Sequence, residues 1–371
     1  MSTSLPITPR LKSTTSSFLK LSGKNVLSYT DHAWLWSALF FTVIASIVGI
    51  CTAKKGVSGF FFANRNLRFL PVACSMFMAN IGSAHFVGMA GLASHSGITN
   101  FAYELNATFA FIILGWIFLP VYIASGSLTT IDYLKKRFGG LRLELYLATL
   151  SLVLIVFTKT SVELYAIFKL LEAIFGRVDF RTVCIPPLVW SVFVTCSGGL
   201  QAVVYTDTAQ AFVLFIGAGF ISYYTLGQFE SYDFMREKFF EAWPNTTKLH
   251  FGDDSSYPYT YCGIPKALSW NMFRSYSNTD LPWPGMVFGI MISAIWYFCC
   301  DQLIVQFGLG AKNIVHAKWA CLLTSYGKIL TILFLIFPGI VARILYTDIV
   351  ACADPTVCQN TCKSRNGCSN L

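Results

Sequence analysis

The sequence predicts an all-α polytopic membrane protein, and three observations predict it. Hydrophobic residues make up 55% of the 371-residue chain and charged residues only 12%, where a soluble domain carries about a quarter charged. The mean hydropathy is +0.58. The apolar residues fall in long runs of Leu, Ile, Phe and Val, of the length a helix needs to cross a bilayer. A β-barrel would instead show short alternating segments.

In chain order, residues 1–32 are rich in Ser, Thr and Lys and lack the apolar core of a signal peptide, so they read as a disordered tail. A transmembrane domain follows over 33–345. Its eight candidate spans are 33–53, 70–93, 101–125, 144–172, 182–198, 208–226, 284–307 and 319–345. Between the sixth and seventh lies a long polar loop, 227–283, and beyond the eighth a Cys-rich segment, 346–371. The net charge of +9 is read as orientation rather than as a nucleic-acid surface. Lys54, Lys55, Arg65 and Arg68 follow the first span, Lys135, Lys136, Arg137 and Arg142 the third, and Lys312 and Lys318 the seventh. The positive-inside bias makes those loops cytoplasmic. The N-terminal tail, the loop 227–283 and the Cys-rich segment are then extracellular, against the dissent of Arg10, Lys12, Lys20 and Lys24.

Of the twelve cysteines, Cys352, Cys358, Cys362 and Cys368 stand together in a polar, Pro- and Gly-containing tail. Four cysteines there suggest disulfides in an oxidising compartment, with three connectivities open. A zinc site is disfavoured, because no His stands among them and no CxxC spacing occurs. Cys299 and Cys300 read as core packing. Asn245 heads the sequon "NTT" in the predicted outer loop, a glycosylation candidate. The second sequon, at Asn106, falls inside a span, where it would go unused.

Charges inside a bilayer cost roughly 3 kcal/mol each on insertion scales, so each needs a reason. Lys159 and Glu163, one turn apart, are expected to satisfy one another. Asp207 and Asp301 are candidates for capping helix ends. Glu104 and Lys328 have no local partner, so they either pair across helices or face a watery cavity. The second span places Asn80, Gly82, Ser83 and His85 within six positions of "CSMFMANIGSAHFVGMAGLAS". A small-residue packing seam would explain Gly82 and Ser83 alone. A broken helix explains all four, since unwound carbonyls can hold a small cation while side chains face a solute. The seventh span repeats the pattern, "PWPGMVFGIMISAIWYFCCDQ", with helix breakers followed by aromatic residues, Asp301 and Gln302. Interrupted spans five positions apart are what an inverted repeat of five helices predicts, the architecture of a secondary transporter. No nucleophile–base arrangement or cofactor loop points to an enzyme.

The motifs "ANIGSAHFVGMAG", "LGWIFLPVYI", "YLKKRFGG", "GGLQAVVYTDTAQ", "DLPWPG", "WYFCCDQLIVQ" and "AKNIVHAK" resemble the solute:sodium symporter family, in its sodium/glucose cotransporter branch. The resemblance runs from about Gly59 to Leu371. It implies a LeuT-like inverted-repeat fold with an extra leading helix, and Na⁺-coupled uptake of a sugar or polyol across the plasma membrane by alternating access. Carried over by motif, the substrate-contacting positions are Asn80, His85, Glu104, Tyr297 and Lys328. Tyr103 and Phe298 stand at gate positions. The Na⁺ site would use the backbone carbonyls of Met78 and Ile81, with Asp207 near the inner cation pathway. These residue types suit a sugar, whose hydroxyls both donate and accept and whose ring packs on an aromatic face. Na⁺, a hard cation, takes carbonyl oxygens.

This chain departs from the family pattern at Ala294, where sugar carriers commonly have Thr, and at Phe298, where Trp is usual. It departs again at Phe307, which replaces an Arg. The resemblance further implies that the first repeat is complete and the second cut after two helices. Later Na⁺ ligands, a polar side chain of the sugar site and a partner for Cys262 would then fall beyond Leu371. The expectation is therefore sodium-coupled symport of a glucose-like hexose, with the lipid bilayer, Na⁺ and the solute as partners. The rivals are a myo-inositol or other polyol symporter, a sugar-gated sensor or leak, and a non-transporting truncated chain.

Overall fold

The computed structural model describes residues 28–175, 178–245, 263–278 and 281–352, and among them the chain is helical, with two isolated β-bridges. Residues 1–27 of the predicted tail, residues 246–262 (Cys262 among them) and 279–280 of the loop 227–283, and Cys358, Cys362 and Cys368 lie outside the described residues. Helix α1 (Tyr29–Thr52) starts a turn earlier than residue 33. Ser28 and Asp31 close a capping box there, the Ser28 hydroxyl accepting the Asp31 N–H and the Asp31 carboxylate accepting the Ser28 N–H. A short helix α2 (Val57–Phe62) leads into the second span, which is two helices, α3 (Phe69–Met78) and α4 (Ser83–Ser96).

The third span, α5, runs through Phe101–Ile113, a π-turn at Leu114–Phe118 and Leu119–Ala124. The wide turn admits Pro120, which has no N–H to donate back along the helix. Next come a basic surface helix, α6 (Thr130–Phe138), and α7 (Leu141–Phe175), which carries a π-turn at Ile155–Thr160. The segments 182–198 and 208–226, expected as two spans, are two helices that meet in a kink at Gly199, written together as α8 (Phe180–Leu226). Gly199 has φ +57, and a Cβ there would also strike the backbone of Phe60 in α2, so both conformation and contact require glycine.

Outside the predicted spans lies α9 (Tyr232–Glu241). The seventh span is bent by 48° between α10 (Gly285–Cys300) and α11 (Gln302–Leu309). Helix α12 (Ile314–Leu345) and the short α13 (Thr347–Val350) complete the described chain. By length and apolarity, five helical segments among the described residues can cross a membrane, and the bent pair makes a sixth. Several of these cover two predicted spans or parts of two.

Two apolar cores hold the bundle. One gathers Val72 and Met76 of α3, Ala107, Phe111 and Leu114 of α5, Ile304 and Val305 of α11, and Ala317, Ala320 and Cys321 of α12. The other joins Met89 and Ala93 of α4, Phe101, Phe239 of α9, Trp270, and Leu335 to Val341 of α12. The first core lies toward the basic loops, where the Lys312 N–H donates to the Leu67 carbonyl at 2.9 Å. At the other end, Arg343 donates to the carbonyls of Ser94, Ala242 and Gly263. The α3–α4 pair, α5 and α12 each pass from one core to the other, and buried Asn80, Glu104 and Lys328 sit at that crossing.

Candidate functional site

The helix break fixes the site. Ala79 ends α3, the N–H groups of Asn80 and Ile81 both turn back to the Phe77 carbonyl, and backbone bonding resumes only when His85 and Phe86 donate to Gly82. Among the described residues, no backbone N–H reaches the carbonyls of Met78, Ala79, Asn80 or Ile81. Free carbonyls at membrane depth are tolerated only where they are buried in protein or line a cavity. Ile81 is buried.

Four of the five expected substrate-contacting side chains converge here. Lys328, on α12 and wholly buried, donates to Asn80 Oδ1 and, at 2.9 Å, to Glu104 Oε2. Glu104, in the first turn of α5, turns its other oxygen toward His85 Nε2 at 3.6 Å. Glu104 and Lys328 thus pair across helices, one of the two arrangements the sequence allowed. Thr331, one turn beyond Lys328, places its hydroxyl 3.5 Å from Glu104 Oε2. Sequence reasoning missed Thr331, although its i+3 spacing from Lys328 puts both on one helix face.

Tyr297 is not part of this cluster. Its ring lies 4.5 Å from Lys159 Nζ and packs edge-on against Phe298 at 5.0 Å. Phe298 connects the two, since it is buried, packs at a tilt against Phe111 with ring centroids 4.7 Å apart and has its ring centre 5.8 Å from Lys328 Nζ. The other expected gate residue, Tyr103, is 47% exposed, while its neighbour Glu104 is buried. Ala294 and Phe307 are packed in the apolar core, so both departures from the family pattern substitute core for polar side chains.

Other expectations need correction. Lys159 and Glu163 do not pair with each other. Lys159 pairs with Asp301, and Glu163 accepts from the Ser83 hydroxyl at 2.8 Å and the Ala84 N–H at 3.1 Å. The i,i+4 pairing lost because each charge finds a partner with an unmet hydrogen-bonding need. Asp301 does cap a helix, its carboxylate accepting the Leu303 N–H at 2.9 Å. Asp207 does not, because it lies two turns inside α8 beyond the Gly199 kink, next to Cys74 and Ser75 of α3. Asn106 spends its amide on the carbonyls of Ala102 and Met286 inside the bundle. Asn245 is exposed, with its amide nitrogen 2.7 Å from Asp348 Oδ2. Cys352 is disulfide-bonded, and its partner lies outside the described residues.

Comparison with known proteins agrees with this arrangement. Residues 60–371 match the sodium:solute symporter family. The chain is 40% identical over 337 residues to the human sodium/myo-inositol cotransporter 2, covering 90% of this chain and 48% of that protein. It is 38% identical over 336 residues to the rabbit (Oryctolagus cuniculus) sodium/glucose cotransporter 1, covering 90% and 50%. The mouse sodium/glucose cotransporter 4 is 39% identical over 332 residues, covering 89% and 47%. The chain therefore spans about half the length of these relatives. The fold is that of a solved Na⁺-coupled sialic acid symporter in its substrate-bound outward-open state, with a TM-score of 0.67 at 20% identity over 84% of this chain and 61% of that one. With motifs, fold and broken helix in agreement, the chain belongs to the sodium:solute symporter family.

Proposed function

We propose that this protein takes part in sodium-coupled symport of a polyhydroxylated solute, a glucose-like hexose, across the plasma membrane by alternating access. The observation that carries the reading is the cluster of buried Asn80, Glu104 and Lys328 with half-buried His85 beside the α3–α4 break. It offers an acceptor, a donor and two mixed groups, with Lys328 bonded to Asn80 and Glu104 and with His85 Nε2 3.6 Å from Glu104. Lys328 and Glu104 satisfy each other, so sugar hydroxyls can replace their mutual bonds without leaving a bare charge. Tyr297 and Phe298 supply apolar ring faces at the edge of the cluster. The Na⁺ ion is cargo, and the carbonyls of Met78 and Ile81 are its proposed ligands, with Asp207 on the α8 face behind them lying along the ion's inner path. In this reading the N-terminus, Asn245 and the Cys352 segment lie outside the cell and the basic loops inside, as the positive-inside bias of those loops supports.

A polyol such as myo-inositol is the second reading. The relatives at 38–40% identity include a myo-inositol cotransporter beside glucose cotransporters, and Ala294 and Phe298 each remove a polar contact expected of a sugar carrier. The test is tracer uptake in cells expressing this chain, with Na⁺ or choline outside, for a glucose analogue and for myo-inositol. Uptake that needs Na⁺ and is lost in Glu104→Ala and His85→Ala is expected. Uptake indifferent to Na⁺ and to both substitutions rejects the reading. Sugar-evoked current without accumulation would make the chain a sensor or leak.

A further inference from the structure

Helix α7 does little packing. Of its residues, only Ala166 is buried, and much of its length shows apolar side chains to the outside. Two of its charged residues, Lys159 and Glu163, nevertheless reach inward, to two different places. Glu163 accepts from the Ala84 N–H and the Ser83 hydroxyl, and its own backbone carbonyl accepts the same hydroxyl at 2.9 Å. The carboxylate thereby caps α4 from another helix, where the N-cap residue, Gly82, has no side chain to do it. A negative charge is also favoured at that end of a helix dipole. Gly82 is required for this approach, because a Cβ on it would overlap the Glu163 carboxylate.

Lys159, one turn earlier in the π-turn of α7, donates to Asp301, whose other oxygen caps α11 through Leu303. The same ammonium lies over the Tyr297 ring at 4.5 Å. Glu163 therefore holds the start of the second half of one broken span, and Lys159 holds the start of the second half of the other.

We propose that Glu163 and Lys159 are positioning residues that make α7 a tie between the two helix breaks, so that the 79–82 segment and the Tyr297–Asp301 turn move together. Both side chains leave the same face of one helix. A rotation or slide of α7 displaces the two caps jointly, and a shift of either break is transmitted to the other through about one helical turn. For the cation, the consequence rests on the reading that Met78 and Ile81 offer it their carbonyls. The tie itself rests only on these contacts.

The test is hydrogen exchange, read by mass spectrometry, on the purified chain in lipid nanodiscs, following peptides over 83–88 and 301–306. Glu163→Ala is expected to speed exchange about tenfold in 83–88, as loss of a cap does, with a smaller rise in 301–306. Lys159→Met, which removes no acceptor from α4, is expected to open 301–306 and to raise exchange in 83–88. Glu163→Gln and Lys159→Arg keep the hydrogen bonds and are expected to stay close to the unsubstituted protein. If each truncation opens only its own break, or neither opens any, the tie is overturned. Lys159→Met decides the matter should Glu163→Ala fail to fold. A separate arm compares Na⁺ with choline on the unsubstituted chain. Absence of Na⁺ protection around 79–82 would count against the cation site, while cross-effects between the breaks would still establish the tie.

Discussion

Lys328 Nζ lies 2.9 Å from Glu104 Oε2, with the lysine side chain wholly buried and the glutamate almost so. Removing one partner leaves a buried charge uncompensated, which costs far more than removing both. Glu104→Leu is expected to lower the stability of the purified chain by about 3–5 kcal/mol, and Glu104→Leu with Lys328→Met to recover most of it. Equilibrium unfolding in detergent measures both. A double substitution that costs the sum of the two single ones, Lys328→Met included, would mean that the pair is not coupled.

Gly339 of α12 crosses α4 at Ala90, and the three atoms nearest a Cβ on it would all belong to the Ala90 backbone. Backbone cannot give way as a side chain does, so Gly339→Ala should push the helices apart and cost about 1–3 kcal/mol. Gly217 of α8 has open space around the same position. Gly217→Ala should be neutral or stabilising by up to about 1 kcal/mol. Unfolding midpoints of the two variants, compared side by side, check the contrast.

Arg343 is 1% exposed, and its guanidinium serves the carbonyls of Ser94, Ala242 and Gly263 while lying 5.4 Å from the centre of the Phe239 ring. It joins α12, the end of α4 and the segment after α9 through one planar fork. Arg343→Met strands several buried carbonyls and is expected to cost on the order of 3 kcal/mol. Arg343→Lys keeps the charge but not the fork, so it should fall between. Limited proteolysis should cut the segment after α9 fastest in Arg343→Met, and equal cutting in all three proteins would refute the clasp.

Asn245 presents its backbone and side-chain N–H groups to the two oxygens of Asp348, each at 2.7 Å. If this end of the bundle is extracellular, Asn245 receives a glycan during synthesis, before α13 arrives to make that contact. The chain from cultured cells should then shift in mobility on endoglycosidase treatment, and Asn245→Gln should abolish the shift. Asp348→Ala should leave the glycan in place. An unshifted chain would place this end of the bundle inside the cell.

The polar residues of the site were legible in sequence because lipid makes them conspicuous. Asn80, His85, Glu104 and Lys328 stand out against apolar runs in which each costs energy unless partnered, and the Gly82–Ser83 break follows from the same stretch. Thr331 was not legible, since a Thr on a transmembrane helix carries no signal without its neighbour. Tyr297 was assigned to the cluster by motif, yet the fold places Phe298 between it and Lys328.

By itself the sequence determined that this chain is helical and membrane-embedded, where its second span breaks, and which family it belongs to. These follow from local quantities, namely hydropathy over about 20 residues, helix-breaking residues and short motifs. Only the tertiary structure decided which charge meets which. Spacing along α7 favoured a Lys159–Glu163 pair, but helix ends left uncapped at Ser83 and near Asp301 compete for the same groups. A buried N–H or carboxylate without a partner costs more than a solvated i,i+4 pair gains, so packing against those breaks set the outcome.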